Sequence, residues 1–452
     1  MKKLNNKSIN KIFIIFAGLI GITFSILFPL YQTPDELTHI NMIYEERNLD
    51  YNFLELIDGY SGSDNLINNQ SGVVDKNEYF DLSNNINIFK IFTIPKITII
   101  RHLPQYVGMV IGEILHLPVL FYVSLCELLA LAFYIFICNK ALKLIPTKKE
   151  LFALIMLLPV CCQQMASFSY DVVLNSSCFL FIAYILKLKF SDKKIYIKDY
   201  IVLFLLLLMI GICKLPYIVL GMLLILLVPN IKDIKSKINI KRIVIFSIIT
   251  LFLFFIVLIN YKKILDINIV KLLLASILNF KQTILLIFNT IFSYGIGYIE
   301  SLVGNLGWFD VNVSRFYVII VYLIILFVTF CKSNQVENET DKIKFRKIDI
   351  VVIIITIILL SYFIILSMFN WTLYLNNISI TDKINISEYS TYLHTFDIIK
   401  GVQGRYFIPL IPLILIPIKS VFKFKKLNLI LIIHFIILFL YYTVILINRY
   451  WI

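Results

Sequence analysis

The segment Thr33-Pro34-Asp35-Glu36-Leu37-Thr38-His39 sets two adjacent carboxylates and an imidazole at the point where a long apolar run stops. A carboxylate partly withdrawn from water has a raised pKa and can take the proton of a hydroxyl. Asp35 and Glu36 are therefore candidate general bases. His39 lies one helical turn from both; it could orient one of them or a divalent cation, and it equally fits an interfacial helix residue. The segment also reads as the start of a helix. Thr33 suits an N-cap, Pro34 suits the first helical position, and Glu36 three residues after Thr33 completes a capping box.

Candidate cations lie far away in the chain. Gln403-Gly404-Arg405-Tyr406-Phe407 puts Arg405 at the mouth of an apolar run. Arg405 fits an interfacial anchor, with Tyr406 in the aromatic belt. It also fits a phosphate clamp, because a guanidinium matches phosphate oxygens in a bidentate way. Lys214 interrupts another apolar run at Lys-Leu-Pro, a costly place for a charge unless it is paired or faces water, and it too could bind phosphate. Asp171, after Ser-Phe-Ser-Tyr, and Asp310, after Gly-Trp-Phe, are caps or charge partners for these cations. Trp308, Gln403 and Tyr406 stand beside the charges in the same segments and join them as substrate-binding candidates. The sequence has no Walker A, HExxH or GxSxG motif. An enzyme of this composition needs an activated substrate that arrives through the bilayer.

The elements that must position these residues are membrane helices. Of the 452 residues, 60% are hydrophobic, against roughly 45–50% in soluble domains. Many apolar runs approach the roughly 20 residues that cross a bilayer as a helix. Backbone groups in lipid must bond internally, so the expected fold is all-α, a polytopic transmembrane bundle of about 10–12 membrane segments in a single domain, residues 1–452. The net charge of +14 sits in short loops between apolar runs. That is the positive-inside pattern of a protein whose partners are membrane lipids, not nucleic acid. The start MKKLNNKSINK reads as the cytoplasmic flank of a retained anchor. The seven cysteines lie in or beside apolar runs without metal-ligand spacing and read as small buried hydrophobes.

Basic loops assign the sides. Ile12–Leu30 runs outward, and residues 31–118 form a long first external loop with interfacial helices, among them the amphipathic stretch Arg101–Pro118. Val119–Leu144 returns, Leu151–Ser167 goes out, and Val172–Leu188 comes back. Ile201–Pro229, basic at both ends and broken at Lys214, fits a re-entrant hairpin. Ile243–Ile259 goes out, Tyr261–Arg315 is external, Phe316–Phe330 returns, and Ile348–Phe369 goes out. Residues 370–406 form a late external loop, Phe407–Ile418 returns, and Leu427–Ile447 ends outside. This alternation brings PDELTH, SFSYD, GWFD and QGRYF to one membrane face.

Six short segments in order, spread over almost the whole chain, resemble a bacterial family of multi-spanning membrane proteins, domain of unknown function 2142. They are Pro34–His39 (P-D-E-x-x-H), His102–Gly108 (around LP-Q-x-x-G), Ser167–Asp171 (S-x-S-Y-D), Lys214–Tyr217 (K-x-P-Y), Gly304–Asp310 (G-x-L-G-W-x-D) and Gln403–Phe407 (Q-G-R-Y-F). Leu37 and Thr38 stand where Pro and Ala are common. The family is similar to GT-C glycosyltransferases. That resemblance implies an acidic base in the first external loop, Asp35 or Glu36, and a lipid-phosphate ligand, Arg405. It implies a polyprenyl-phosphate sugar donor, a glycan or lipid acceptor outside the cytoplasm, and a role in cell-surface polysaccharide synthesis. The need for a divalent cation stays open. A transporter or flippase of a lipid-linked glycan, or a non-catalytic assembly protein, would share the hydrophobic bulk; a transporter often carries inverted repeats, and none is visible.

The sidedness is tested by labelling single cysteines in intact cells. Cysteines placed at Asn65 and Asn385 are expected to react with an impermeant reagent, and ones at Lys193 and Lys342 are not. Protection of the first pair breaks the scheme.

Overall fold

The computed structural model describes residues 2–49, 93–191, 195–227, 267–332, 344–378 and 384–452. The expected span Ile243–Ile259, most of the polar part of the first external loop, and the labelling positions 65, 193 and 342 lie outside the described residues. What is described is an all-helical bundle. The extended structure present is a two-residue parallel pairing of Cys331–Lys332 with Phe422–Lys423.

In chain order the helices are α1 (Lys2–Leu27), α2 (Glu36–Glu46), a 3-10 turn (Ile97–His102), α3 (Leu103–Ile114), α4 (Val119–Leu144), α5 (Lys149–Met156), α6 (Pro159–Met165), α7 (Asp171–Lys189) and α8 (Ile197–Cys213). A 3-10 stretch (Leu215–Leu227), α9 (Ile267–Leu278), α10 (Phe280–Val303), α11 (Arg315–Phe330), α12 (Lys347–Ser367), α13 (Phe369–Leu375) and α14 (Ile386–Thr395) follow. The 3-10 turn Gly404–Phe407, α15 (Leu410–Leu415) and α16 (Leu427–Tyr450) complete the series. Six elements among the described residues are long and apolar enough to cross a membrane: α1, α4, α7, α10, α12 running on into α13, and α16. The outer faces of five of them carry exposed Ile, Leu and Phe, as lipid-facing helices do, whereas α7 is enclosed by its neighbours.

Two expectations change. Leu151–Ser167 is not one continuous helix. Pro159 lacks the N–H that would continue the helix, so the run splits into α5 and α6, both enclosed by other helices. Tyr261–Arg315, expected as a mixed external stretch, contains the 24-residue α10, which is long and apolar enough to be a candidate span. Its Lys281, Asn289, Ser293 and Glu300 dilute the apolar signal. The break at Lys214 stands: α8 ends at Cys213, and Lys214 is in extended conformation.

Sparse polar contacts fix the helix pairs. Asn10 Nδ2 of α1 donates to Asn139 Oδ1 of α4 at 2.7 Å. Lys148 Nζ, between α4 and α5, donates to the carbonyls of Thr329, Leu415 and Ile418, capping two helix ends at once. Close approach does the rest. A Cβ at Gly108 would lie 2.7 Å from the Cα of Cys126, so α3 lies flat against α4 only because that residue is glycine. Gly404 likewise sets its turn directly on α10, where a Cβ would run into Ser301 Oγ and the Tyr298 carbonyl.

Three buried apolar clusters hold the bundle, and the loops that meet near Arg405 are rooted in all three. Tyr406 belongs to the largest, Tyr31 and Phe168 to the one around α2–α4, and Val402 to the one around α9, α12 and α14. Each loop is thereby held at its base by burial.

Gly404→Ala tests this seating. Overpacking of this kind costs about 1–3 kcal/mol, so the purified variant is expected to melt at lower temperature. An unchanged melting curve would show that the turn is not wedged against α10.

Candidate functional site

The first positioning device is a strained residue. α2 begins at Glu36, and its N-cap is Asp35, with φ at +63° in the left-handed region. Asp35, not the expected Thr33, is the N-cap, although the Glu36 carboxyl still interacts with Thr33. The Glu36 side chain does turn back, but Oε2 accepts the N–H of Tyr31 at 2.8 Å. A left-handed Asp is tolerated because its short polar side chain can bond locally, yet it carries strain that the surroundings must hold. Here the holder is Arg405. Its Nη2 donates to Asp35 Oδ2 at 2.6 Å, across 370 residues of sequence.

The remaining candidates assemble around this pair. Arg405 is 9% exposed. Its Nε stands 3.8 Å from Asp171 Oδ2, an ion pair too long for a hydrogen bond, and has no hydrogen-bond partner. Asp171, the first residue of α7, is fixed by Gln164 Nε2 at 2.8 Å, and Gln164 by Asn175 at 2.9 Å. Lys214 Nζ sits 3.3 Å from the ring centroid of Tyr406, a cation–π contact. The Tyr217 hydroxyl donates to the Tyr406 carbonyl at 2.6 Å. Trp308 Nε1 donates to the Tyr31 carbonyl at 2.9 Å, so the GWFD loop braces the segment that carries Asp35. Asp310 is paired elsewhere, 2.5 Å from Arg449 of α16. Gln403 and Arg405 line a small pocket of about 20 Å³, partly open to solvent, together with Thr33 and Pro34.

His39 stands behind the acidic segment. Its Nδ1 is 3.1 Å from His102 Nε2, and His102 Nδ1 faces Glu46 Oε2 at 3.5 Å. With the proton of His102 on the side of Glu46, His39 Nδ1–H donates to His102 and His39 Nε2 keeps its lone pair. Burial first, then the neighbouring His102 and Arg405, hold the His39 imidazole well below its ordinary range, so it is neutral. Tyr170 packs edge-on against it, centroid to centroid 4.7 Å. Among the described residues, no group of three or more His, Cys, Asp or Glu is placed to hold a metal ion. The seven cysteines are free and buried.

Several contributors carried a sequence signal that was not assigned a role. Gln105, in the LP-Q motif, donates to the carbonyls of Ser167 and Ser169 and so shapes the loop ahead of Asp171. Adjacent Gln163 and Gln164 inside an apolar run are as conspicuous as Lys214. Glu46, Arg101 and His102 form a charged knot, with Arg101 Nη2 2.5 Å from Glu46. Only the fold shows that it backs His39.

A bundle of apolar helices enclosing a junction of paired charges defines an integral membrane protein. Residues 18–414 match the family described as a predicted membrane protein, DUF2142, and the chain belongs to that family. No curated protein and no solved structure was found to match the chain.

The two carboxylates are differently placed. Asp35 keeps a 45% exposed side chain beside the pocket. Glu36 is buried, and burial pushes its carboxyl up to about 7, outweighing the stabilising contacts from Thr33 and the Tyr31 N–H. Glu127 of α4 adds a second buried carboxyl within electrostatic reach. Between the ordinary carboxyl range and about pH 7 the folded protein holds a proton on Glu36 that the unfolded chain releases. Stability from this group is full below the ordinary carboxyl range near 4.5 and is lost as pH rises through about 7. Glu36→Gln removes the titration. Melting temperature measured from pH 5 to 8 is expected to fall in the parent and to run flatter in the variant; equal slopes would show that Glu36 is ionised throughout.

Proposed function

We propose that this protein is an integral-membrane glycosyltransferase. It moves a sugar from a polyprenyl-phosphate donor to a glycan or lipid acceptor on the extracytoplasmic face, in the synthesis of cell-surface polysaccharide. The observation that carries the reading is the Asp35–Arg405 pair on the edge of a small pocket.

Nε and Nη2 form one edge of a guanidinium fork, the edge that grips two oxygens of a phosphate. Asp35 occupies Nη2, and Nε has no hydrogen-bond partner. A donor phosphate completes both positions and displaces Asp35. Lys214, held by Tyr406 close to the same turn, adds a second cation. Asp171 keeps Arg405 aligned during the exchange.

Displacement of Asp35 is also what makes it a base. In contact with Arg405, its carboxylate is satisfied and faces the wrong way for chemistry. In direct displacement the base and the leaving phosphate lie on opposite faces of the sugar, as in inverting glycosidases. The sugar must therefore enter between Asp35 and Arg405. Asp35 then takes the acceptor's hydroxyl proton, and the acceptor oxygen bonds to the anomeric carbon. The bond from that carbon to the phosphate oxygen breaks, and its electron pair leaves with the phosphate, where the cations stabilise it. A donor anchored in lipid accounts for an enzyme without a nucleotide-binding motif. Neutral His39, bonded to His102 behind the segment, does not compete for the proton.

The test is transfer from a labelled polyprenyl-phosphate sugar by purified protein in lipid. Asp35→Asn is expected to lose at least about a hundredfold in turnover, the low end for general-base removal, while still binding donor. Arg405→Lys is expected to weaken donor binding although the charge is kept, because the fork is lost. Lys214→Met is expected to weaken it less. Parental turnover in both Asp35→Asn and Glu36→Gln would remove the enzymatic reading.

A further inference from the structure

Behind the Asp35–Arg405 pair stands a buried row of side chains that the displacement of Asp35 does not use. Glu46, at the end of α2, faces Arg101 Nη2 at 2.5 Å and His102 Nδ1 at 3.5 Å. His102 Nε2 meets His39 Nδ1 at 3.1 Å. Against the cost of burial, His102 and Arg101 hold the Glu46 carboxyl below its ordinary range, so the row ends on a carboxylate.

The polarity of the row follows from that end. A carboxylate only accepts, which puts the His102 proton on Nδ1 and leaves His102 Nε2 as an acceptor. The His39 proton is then on Nδ1, and His39 Nε2 keeps its lone pair. Among the described residues Nε2 makes no hydrogen bond, and it is not sealed from the surface. A second proton on His39 can go only to Nε2. The imidazolium so formed is already supported, because its Nδ1–H donates along the row toward Glu46. A carboxylate steadies an imidazolium in this way in catalytic triads; here a second imidazole stands between them.

His39 is nevertheless neutral. Burial comes first, and then His102, Arg405, Arg101 and Lys214 each disfavour another positive charge. Those same cations mark a place for an anion. The His39 N–H bonds the Asp35 carbonyl at 2.9 Å, one turn back, so the two residues share a side of α2. Asp35 holds Arg405. Tyr170, edge-on to His39, immediately precedes Asp171, the second acidic neighbour of Arg405. Lys214 rests on Tyr406, the residue after Arg405. The titratable groups around His39 are thus Asp35 and Glu46 of α2, Arg101 and His102 of the 3-10 turn, Tyr170 and Asp171 at the start of α7, Lys214 at the break, and Arg405 with Tyr406.

The charges of this group distinguish two kinds of phosphate. Arg101, Lys214 and Arg405 stand against Asp35, Asp171 and Glu46. A phosphodiester carries one negative charge and takes over the contact that Asp35 makes with Arg405, so the balance beside His39 is kept. A phosphate monoester, with a second pKa of about 6, brings one negative charge more than the carboxylate it displaces. We propose that His39 is a further phosphate ligand that recognises this second negative charge: it stays neutral beside a phosphodiester and takes up one proton from water, on Nε2, when a dianionic phosphate monoester sits on Arg405. Glu46 and His102 are its positioning residues. The proposal rests on the phosphate reading of Arg405 and adds the charge state that the site holds most strongly. In the transfer reaction the donor is the diester and the released polyprenyl phosphate is the monoester. His39 therefore makes retention of product, not binding of donor, sensitive to pH.

The experiment is calorimetric binding to the full chain in lipid nanodiscs, at about pH 8, where the monoester is dianionic, in two buffers of different ionisation heat. The probes are polyprenyl phosphate, a monoester, and its methyl ester, a diester without a sugar. With the parent, monoester binding is expected to show a buffer-dependent heat of the sign of proton uptake, and to tighten as pH falls toward about 7. The diester is expected to show neither effect. His39→Gln is expected to lose the uptake and to bind the monoester at least about tenfold more weakly, the worth of one charge-assisted hydrogen bond. Its affinity for the diester is expected to be kept, which shows that the variant is folded. Glu36→Gln is expected to keep the uptake, which separates His39 from the other group that titrates nearby. Nitrogen NMR of histidine-labelled parent protein reads the same charge without a substitution: an imidazolium signal is expected with the monoester and not with the diester. Binding of neither probe would overturn the phosphate reading of Arg405 itself. Binding of both probes without uptake, equal uptake with the diester, or uptake that survives His39→Gln would overturn the role of His39 alone.

Discussion

A guanidinium enclosed at the junction of apolar helices must be paired, and the arrangement around the site follows from how Arg405 meets that demand. Losing one partner of a buried pair leaves an uncompensated charge, which is far costlier than losing a surface pair. Arg405 has two acidic neighbours, Asp35 by a direct hydrogen bond and Asp171 at longer range. They belong to different elements, one the start of α2 and the other the start of α7. Satisfying the charge therefore ties the first loop, the middle of the bundle and the late loop to one point.

The supports of that point are graded in rigidity. Asp171 is held by Gln164, which is held by Asn175, and the loop before it is held by Gln105. Arg405 rides on a turn that Gly404 sets against α10. Asp35 has no comparable support. Its backbone is strained, its side chain is the most exposed of the three, and its carboxylate holds a single hydrogen bond, to Arg405. The member of the cluster best able to move is the one the proposed chemistry requires to move. Glu36, next to it, is tied to the Tyr31 backbone and serves the helix start.

The meeting of distant segments was legible in the sequence. Alternating basic loops brought PDELTH, SFSYD and QGRYF to one face, and the structure brings Asp35, Asp171 and Arg405 into contact. GWFD joins them through Trp308 rather than Asp310, because two acidic residues can look alike in sequence while one of them finds Arg449 on the last helix. The Lys214 break was legible because proline and a charge inside an apolar run have few structural outlets. α10 was not, because its mean hydropathy is the lowest among the six candidate spans and Lys281, Asn289, Ser293, Gly295, Gly297 and Glu300 interrupt its apolar run. The cap at Asp35 was hidden for another reason. Local spacing favours Thr33, and only a partner 370 residues away selects the left-handed alternative.

By itself the sequence determined the class of the protein: an all-helical membrane bundle whose polar residues are few and concentrated in short segments. That much is decided by composition and period, because in lipid every backbone group must bond within its own helix. The tertiary structure alone decided which carboxylate stays exposed beside Arg405, which is buried with its carboxyl pushed up to about 7, and that a small pocket opens next to the arginine. Those outcomes depend on burial and on partners supplied by remote elements, and a charged or polar side chain carries no local record of the neighbours that will complete it.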